Sequence, residues 1–236
     1  MIVCIPTKGR PLTKTYKLFE DAGYEVYHFI EPQEMEAYSV KNKICIEAND
    51  KGVTYVRNFM LDWCRNKNIT WAWFCDDDVD GFGIYNGKTV RQGASALKSV
   101  EDKAQKLPFE IVGLSYVQYA WTEKKSYGIN SKFAEVCTLM NVSKIKWNYN
   151  EDTKEDRDFA MQTIQNGHGI LRFNHIWFSC PNVGSNEGGL HEWYASKKTT
   201  KPLKKWRYLG VLGLPSRLSQ IGLILKRTLK GSPNTA

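Results

Sequence analysis

The sequence predicts an α/β fold, with a doubly wound parallel sheet in the first half and a mixed sheet in the second. Short β-type runs alternate with helical patterns up to residue 75, whereas beyond residue 108 three β-type runs share one clear helix. The 236 residues are 42% apolar and 25% charged, which is ordinary for a globular protein. This composition excludes a disordered or low-complexity chain.

The β-type runs of the first half cover residues 2–6, 25–30, 43–47 and 71–75. A first helix begins at Pro11 and is closed by Gly23, and a short helix is expected over 33–40. A longer helix follows because the apolar residues between 53 and 64 recur with a period of 3.6. The order βαβαβαβ is typical of a Rossmann-like sheet flanked by helices.

The β-type runs of the second half cover residues 111–119, 134–142 and 169–178. The one helix lies at about residues 153–166. With so few crossover helices, some strands must join the sheet in antiparallel orientation. An amphipathic segment over 216–229 follows a Gly-, Asn- and Lys-rich stretch. We therefore expect one α/β domain over 1–193 and a C-terminal extension over 194–236.

The net charge of +8 is concentrated in this extension, which holds ten of the 33 basic residues and none of the 25 acidic ones. Such asymmetry predicts an anionic partner for the extension. Trp206 and Tyr208 accompany a basic cluster formed by Lys197, Lys198, Lys201, Lys204, Lys205 and Arg207. Aromatic and cationic residues together suit nucleic acid, but with the amphipathic segment they equally suit an anionic membrane surface.

Several classes of protein are excluded by what the sequence lacks. No apolar run approaches the roughly 20 residues that span a bilayer, and the first strand leaves no room for a signal peptide. We therefore expect a cytoplasmic protein. The six cysteines form no CxxC pair and the four histidines no i,i+4 pair, so we expect reduced, mostly buried thiols and no His-rich metal site.

The strongest motif is the apolar run 71–75 followed by Asp76, Asp77 and Asp78. Ligands of open α/β sheets bind where strands end, and adjacent carboxylates repel one another unless a cation compensates. Their oxygens suit Mg²⁺ or Mn²⁺ bound together with phosphate, with Asp76 and Asp78 on one face. The alternative is a solvated acidic turn.

Two weaker motifs lie upstream. The first strand runs into the polar, basic loop Thr7-Lys8-Gly9-Arg10 before a helix, which could seat a phosphate or be an ordinary turn. Arg57 and Asn58 are adjacent in the longer helix, where a guanidinium could approach a diphosphate or form a surface salt bridge.

The fourth motif is Glu155-Asp156 at the start of the second-half helix. A carboxylate there can act as a general base towards an attacking hydroxyl. Because Thr153 and Asp156 have capping-box spacing, the same acids could simply stabilise the helix N-terminus.

Together these motifs resemble the nucleotide-sugar glycosyltransferases of the GT-A fold. The resemblance implies that Asp76 and Asp78 bind a divalent metal and the donor, and that Asp77 contacts the donor ribose or the metal. It also implies that Asp156 is the base of an inverting reaction, with Glu155 beside it.

A narrower resemblance is to the phage TET-associated glycosyltransferase family. It is carried over about residues 1–180 by the opening strand and loop, Glu31-Pro32-Gln33-Glu34-Met35-Glu36-Ala37-Tyr38, Gly52 with Arg57-Asn58, and the two acidic motifs. It implies transfer from a nucleotide sugar, UDP-linked in our expectation, to hydroxymethylated pyrimidines in DNA. The donor contacts implied are Pro6, Thr7, Lys8, Arg10, Glu31, Arg57, Asn58, Asp76 and Asp77.

Near the end of the body, His191 follows a Gly-rich loop and is either a metal ligand, a diphosphate contact or a surface residue.

Two other functions stay open. One is a membrane-associated transferase acting on a glycan or lipid, and the other is a non-catalytic DNA-binding module in which the acids form a turn.

Overall fold

The computed structural model describes residues 1–130, 134–151 and 154–181. The predictions for Thr153, His191, the basic cluster and the amphipathic segment over 216–229 lie outside these residues, as does the whole extension over 194–236.

Strands alternate with helices in the described residues much as the sequence predicts. The strands are β1 Ile2–Thr7, β2 Glu25–Ile30, β3 Lys43–Cys45, β4 Trp71–Cys75, β5 Gly81–Tyr85, β6 Thr89–Arg91, β7 Ile111–Tyr116, β8 Tyr127–Ile129, β9 Cys137–Asn141 and β10 Ile170–Ser179. The helices are α1 Thr15–Glu20, α2 Val53–Asn66, α3 Lys98–Ala104, α4 Val117–Ala120 and α5 Glu155–Gln165.

All these strands belong to one sheet, in the order β3-β2-β1-β4-β9-β7-β10-β5-β6, with β8 also paired to β10. The first four are mutually parallel. Strand β9 runs antiparallel between β4 and β7, and β10 is parallel to β7. A mixed α/β sheet flanked by helices is therefore confirmed, with its antiparallel pairings formed by strands that follow β4 in the chain.

Alternate residues of each strand enter two apolar layers. Val3 and Ile5 pack on one face with Phe19 of α1 and Val100 of α3, all buried. On the other face Cys4 packs with residues of α2 and α5, among them Met60 and Phe159. Because both faces are covered, the strand ends are left as the accessible edge for chemistry.

The first half departs from the predicted elements at two helices. Helix α1 begins at Thr15 rather than Pro11, and residues 33–40 form only a 3₁₀ turn over Pro32–Glu34. The carbonyls of Met35 and Tyr38, which a continuing helix would use, accept hydrogen bonds from Lys43 Nζ at 3.0 and 3.1 Å. The lysine side chain thus takes the place of the backbone N–H groups that would bond these carbonyls in a longer helix.

All six cysteines are free thiols, and Cys4, Cys64, Cys75 and Cys137 are buried, as expected. In the described residues no helix has the length and apolar character that crossing a membrane requires.

A buried hydrogen bond ties the centre of the sheet to α3. Trp73 of β4 is fully buried, and its Nε1 donates to Glu101 Oε1 at 2.8 Å. Glu101 is itself 7% exposed, so the bond lies within the apolar layer. Removing the acceptor would leave the indole N–H without a partner in a place that water reaches poorly.

We expect Glu101→Ala to lower the free energy of unfolding by about 1–3 kcal/mol, measured by urea denaturation. Glu101→Gln keeps an acceptor oxygen and should lose less. Asp102→Ala, at the exposed neighbouring position of α3, is the matched control. Equal losses in the Glu101→Ala and Asp102→Ala proteins would contradict the role given to this bond.

Candidate functional site

The predicted site residues of the first half meet where the strand order reverses. The chain passes from β1 outward through β2 and β3, then returns to place β4 on the other side of β1. The carboxyl ends of β1 and β4 therefore flank a crevice, which is the ligand-binding position of open α/β sheets. The loop after β1 carries Lys8 and Arg10, and the loop after β4 carries the three aspartates.

The middle aspartate joins these two loops. Asp77 is 5% exposed, and it accepts from Arg10 Nη1 at 2.7 Å and from the Thr7 hydroxyl at 2.7 Å. The Thr15 hydroxyl donates to the Asp77 carbonyl at 2.5 Å. Burial raises the pKa of Asp77, while Arg10 and Thr7 oppose that rise. As folded, Asp77 fixes the loops, and its contact with a donor stays a prediction.

The outer two aspartates face the crevice. The side chains of Asp76 and Asp78 are 33% and 25% exposed, and Arg10 Nη1 lies 3.5 Å from Asp78 Oδ2. On the α1 side a cleft of about 580 Å³ is lined by residues 9–15, Leu18 and residues 77–80.

Arg57 makes a buried ion pair rather than the surface salt bridge that the sequence left open. It is 8% exposed; Nη2 lies 2.7 Å from Asp76 Oδ1, and Nη1 lies 2.5 Å from Glu155 Oε1. Burial opposes its charge, yet the two carboxylates raise the Arg57 pKa above its usual value. Two predicted motifs, the aspartate triplet and the acidic start of α5, are joined by this guanidinium.

Asn58 holds a neighbouring segment instead of facing the crevice. Its Nδ2 donates to the Tyr149 carbonyl and its Oδ1 accepts from the Tyr149 N–H, both at 2.8 Å. The Tyr149 ring stacks on Phe159 of α5 with centroids 4.0 Å apart. Asn58 thus fixes α5 relative to α2, and its predicted donor contact is untested.

Asp156 lies next to this ion pair. Together with Pro6, Arg57, Asp76 and Tyr149 it lines a cavity of about 20 Å³. Its Oδ1 accepts from the Arg157 N–H at 2.8 Å, a bond that stabilises the helix start. Burial raises the pKa of Asp156, and Arg57 acts in the opposite direction. A carboxylate of raised pKa is suited to accept a proton near neutral pH.

The structure adds a carboxylate that the sequence did not single out. Glu135 Oε1 lies 3.2 Å from Arg157 Nε, and burial followed by the charge of Asp156 raises the pKa of Glu135. The residue lies within the β-type run 134–142, so no periodic signal separates it from an ordinary strand position.

The backbone beside Glu135 is tightly turned. Val136 has φ 63°, a conformation that β-branched residues rarely adopt, and the Cys137 N–H donates to the Glu135 carbonyl at 2.6 Å. The Val136 carbonyl then accepts from the Asp76 N–H at 2.9 Å. A Cβ on Gly113 of β7 would lie 2.7 Å from Ala134 Cβ, so only glycine leaves room for this turn.

Glu31, at the end of β2, is 2% exposed and is contacted by two side chains. Lys8 Nζ lies 3.0 Å from Glu31 Oε2, and Gln33 Nε2 donates to the same oxygen at 2.8 Å. Lys8 also pairs with Asp50. Glu31 therefore lies at the same edge as the aspartates, although its role towards a donor is untested.

The carboxylates at this edge suit a divalent cation that is bound jointly by the protein and the substrate. Within the described residues no group of three or more His, Cys, Asp or Glu side chains converges as a metal site. Mg²⁺, however, commonly takes one or two carboxylates together with substrate phosphates. Asp76 and Asp78 fit that arrangement, although Arg10 and Arg57 already offset the repulsion among the aspartates.

Solved structures that this chain resembles share little sequence with it. They include A197 from STIV (16% identity, TM-score 0.48, covering 75% of this chain and 83% of that one). CMP:2-keto-3-deoxy-manno-octonic acid synthetase complexed with CTP has 10% identity and a TM-score of 0.46, and the match covers 82% of this chain and 95% of that one. A putative nucleotide-diphospho-sugar transferase from Desulfovibrio desulfuricans G20 has 8% identity, TM-score 0.39 and coverage of 97% and 99%.

No curated protein matches the sequence. The family model described as TET-Associated Glycosyltransferase matches residues 1–189, which include every strand, helix and site residue that the structure describes. The chain therefore belongs to the TET-associated glycosyltransferase family and is a glycosyltransferase.

Proposed function

We propose that this glycosyltransferase moves a sugar from a nucleotide sugar, UDP-linked in our expectation, to a hydroxymethylated pyrimidine in DNA. The acceptor is the hydroxyl of 5-hydroxymethylcytosine or a related base, and the reaction is metal-dependent and inverting. The observation that carries the proposal is that Arg57 brings Asp76, at the end of β4, next to the acidic start of α5, where Asp156 lies.

In this proposal Asp76 and Asp78 hold Mn²⁺ or Mg²⁺ against the donor diphosphate. The cation, when bound, would neutralise the charge that develops on the leaving diphosphate. Lys8 and Arg10 in the β1 loop supply positive charge on the same edge. The family resemblance makes Glu31, which is buried beside Lys8, a further donor contact. His191 is a further candidate ligand from the sequence.

Asp156 serves as the base in this proposal. Its carboxylate takes the proton of the acceptor hydroxyl as that oxygen bonds to the anomeric carbon of the sugar. The bond from that carbon to the diphosphate breaks, and the nucleoside diphosphate leaves with the bonding electrons. Glu155 holds Arg57 at 2.5 Å and so positions the start of α5 beside Asp76.

DNA is favoured as the acceptor by two sequence features. One is the resemblance of the motifs to enzymes that glycosylate modified phage DNA, and the other is the basic extension over 194–236. The reaction would then take place in the cytoplasm, that of the host cell if a phage encodes the chain. The basic extension also supports a second candidate, a transferase on an anionic membrane, because the amphipathic segment over 216–229 follows the lysines.

We expect Asp76→Asn and Asp78→Asn each to reduce sugar transfer at least about 100-fold, because each loses a charged metal ligand but keeps its shape. Transfer would be measured as a Mn²⁺ titration with circular dichroism as the folding check. Asp80→Asn, an exposed acid two residues further on, should retain activity. Full activity of the wild type in EDTA would contradict the metal role.

We expect Asp156→Asn to lower kcat about 10²–10⁴-fold with donor affinity retained, because the amide cannot accept the proton. Since burial raises the pKa of Asp156, the pKa read from the acid limb of the kcat/KM pH profile of the wild type should lie above the ordinary aspartate range. Near-normal turnover with a small loss of stability would instead identify Asp156 as a helix cap.

We expect DNA affinity to fall steeply with salt. A plot of the logarithm of the association constant against the logarithm of the salt concentration should have a slope of about −0.9 per phosphate contacted on duplex DNA. The triple change Lys197→Glu, Lys201→Glu and Lys204→Glu should weaken DNA binding strongly and leave donor hydrolysis almost unchanged. The matched control reverses Lys41, Lys67 and Lys106, which are exposed on the body. A mutant that loses liposome binding but keeps its DNA affinity would favour the membrane candidate.

A further inference from the structure

Two exposed aromatic side chains follow the carboxyl end of β7. Tyr119 is 53% exposed and Trp121 is 62% exposed. Both lie in the segment formed by α4 and the turn after it, where the Thr122 hydroxyl donates to the Tyr119 carbonyl at 2.8 Å. Exposing two large aromatic rings so close together has no benefit for folding, which points to a ligand.

This segment begins at the sheet edge that carries the proposed site, because β7 and β4 are both antiparallel to β9 and so end at the same edge. Tyr116, the last residue of β7, is packed against Phe178 with ring centroids 4.5 Å apart. Burial raises the pKa of its phenol, and the negative charges of Glu135 and Asp156 add to that rise. The Tyr119 ring lies 6.2 Å from that of Tyr116, so the exposed rings continue outward from the site.

The loop that carries Trp121 is held by contacts from β10 to its backbone carbonyls. Asn174 Nδ2 donates to the Lys125 carbonyl at 3.0 Å, and the Asn174 N–H donates to the Ser126 carbonyl at 2.8 Å. His175 Nε2 lies 2.8 Å from the Glu123 carbonyl. These contacts arise where the register of β10 against β7 shifts between Phe173 and Trp177. The aromatic side chains are thus presented from a fixed loop.

The charge around the rings is positive. Lys124 and Lys125 are exposed, whereas the acidic Glu123 pairs with Arg172, Nη2 to Oε1 4.0 Å. We call Tyr119, Trp121, Lys124 and Lys125 the aromatic rim. Rings that can stack on bases, flanked by cations that can meet phosphates, are typical of surfaces that bind single-stranded nucleic acid. A neutral glycan would use the rings but gain little from the lysines.

We propose that the aromatic rim binds the unpaired DNA next to the target pyrimidine, and this rests on the proposed function. Enzymes that act on a base in DNA take it out of the stack or use single strands. The neighbouring bases then need a surface, and the rim follows the carboxyl end of β7, at the same edge of the sheet as the aspartates that follow β4. The body itself, and not only the basic extension, therefore contacts the acceptor.

The test measures binding of a labelled single-stranded oligonucleotide containing 5-hydroxymethylcytosine, by fluorescence anisotropy at several salt concentrations. Stacking depends little on salt, so Trp121→Ala and Tyr119→Ala should weaken binding about 5- to 100-fold with an unchanged log–log salt slope. The double change Lys124→Ala and Lys125→Ala should instead reduce the slope by about 0.7 for each phosphate that these lysines neutralise.

Trp121→Phe keeps an aromatic face and should restore most of the affinity. The double change Lys67→Ala and Lys106→Ala, at the opposite end of the sheet, is the control for the lysine pair. It should leave the log–log salt slope of binding unchanged. Donor hydrolysis and the melting temperature should be the same in all rim variants, because the rim side chains are exposed and are not among the proposed donor or metal contacts.

Wild-type affinity in Trp121→Ala would overturn the inference, as would a drop in melting temperature that shows the ring packed against the chain itself. Equal weakening of transfer to a free glycan would also overturn it. If the wild type binds the oligonucleotide through the rim but transfers no sugar to it, the proposed function fails and the DNA-binding surface stands.

Discussion

The buried guanidinium of Arg57 is the constraint on which the rest of the site depends. It reaches from α2 to the end of β4 and to the first residue of α5, elements that are far apart in sequence. Arginine suits this position because its planar fork can satisfy two carboxylates at once and stays charged when buried. Arg57 and Glu155 form the buried part of this arrangement, and a buried ion pair that loses one partner is destabilised by about 3–5 kcal/mol, so neither of these two can change alone.

The same arrangement sets the electrostatics of the crevice. Arg10 and Arg57 neutralise part of a cluster of carboxylates. Burial raises the pKa values of Asp156 and Glu135, and neighbouring carboxylates add to that rise. A site with surplus negative charge would repel a diphosphate, so a divalent cation would be needed between the two. The carboxylate charge that Arg10 and Arg57 leave uncompensated therefore supports the metal ion in the proposed mechanism.

Periodicity and strand-end position made much of the fold predictable. The four parallel strands of the first half follow from their apolar runs, and β4 coincides with the predicted run 71–75. No strand or helix was predicted between residues 79 and 108, because glycine-rich strands such as β5 lack a β-type pattern. In β5, Gly83 is required because a Cβ there would collide with the Trp177 ring.

The site was predictable as a set of residues but not as a set of contacts. Arg57 and Glu155 are 98 residues apart, and nothing local to either shows that they meet. Asp77 and Asn58 are predicted donor contacts by their resemblance to the family. In the structure those groups hold loops and segments together, since tertiary packing brings partners that local patterns cannot reveal.

The close approach of Gly113 and Ala134 has a consequence for how this enzyme can be altered. Because the space for the two side chains is shared, their volumes cannot vary independently. A larger residue at either position would displace the turn that carries Glu135 and would disturb the backbone bond to Asp76. Randomised libraries aimed at a different acceptor would therefore need to sample these positions jointly, and relatives that lack the glycine should carry a compensating backbone change in the same turn.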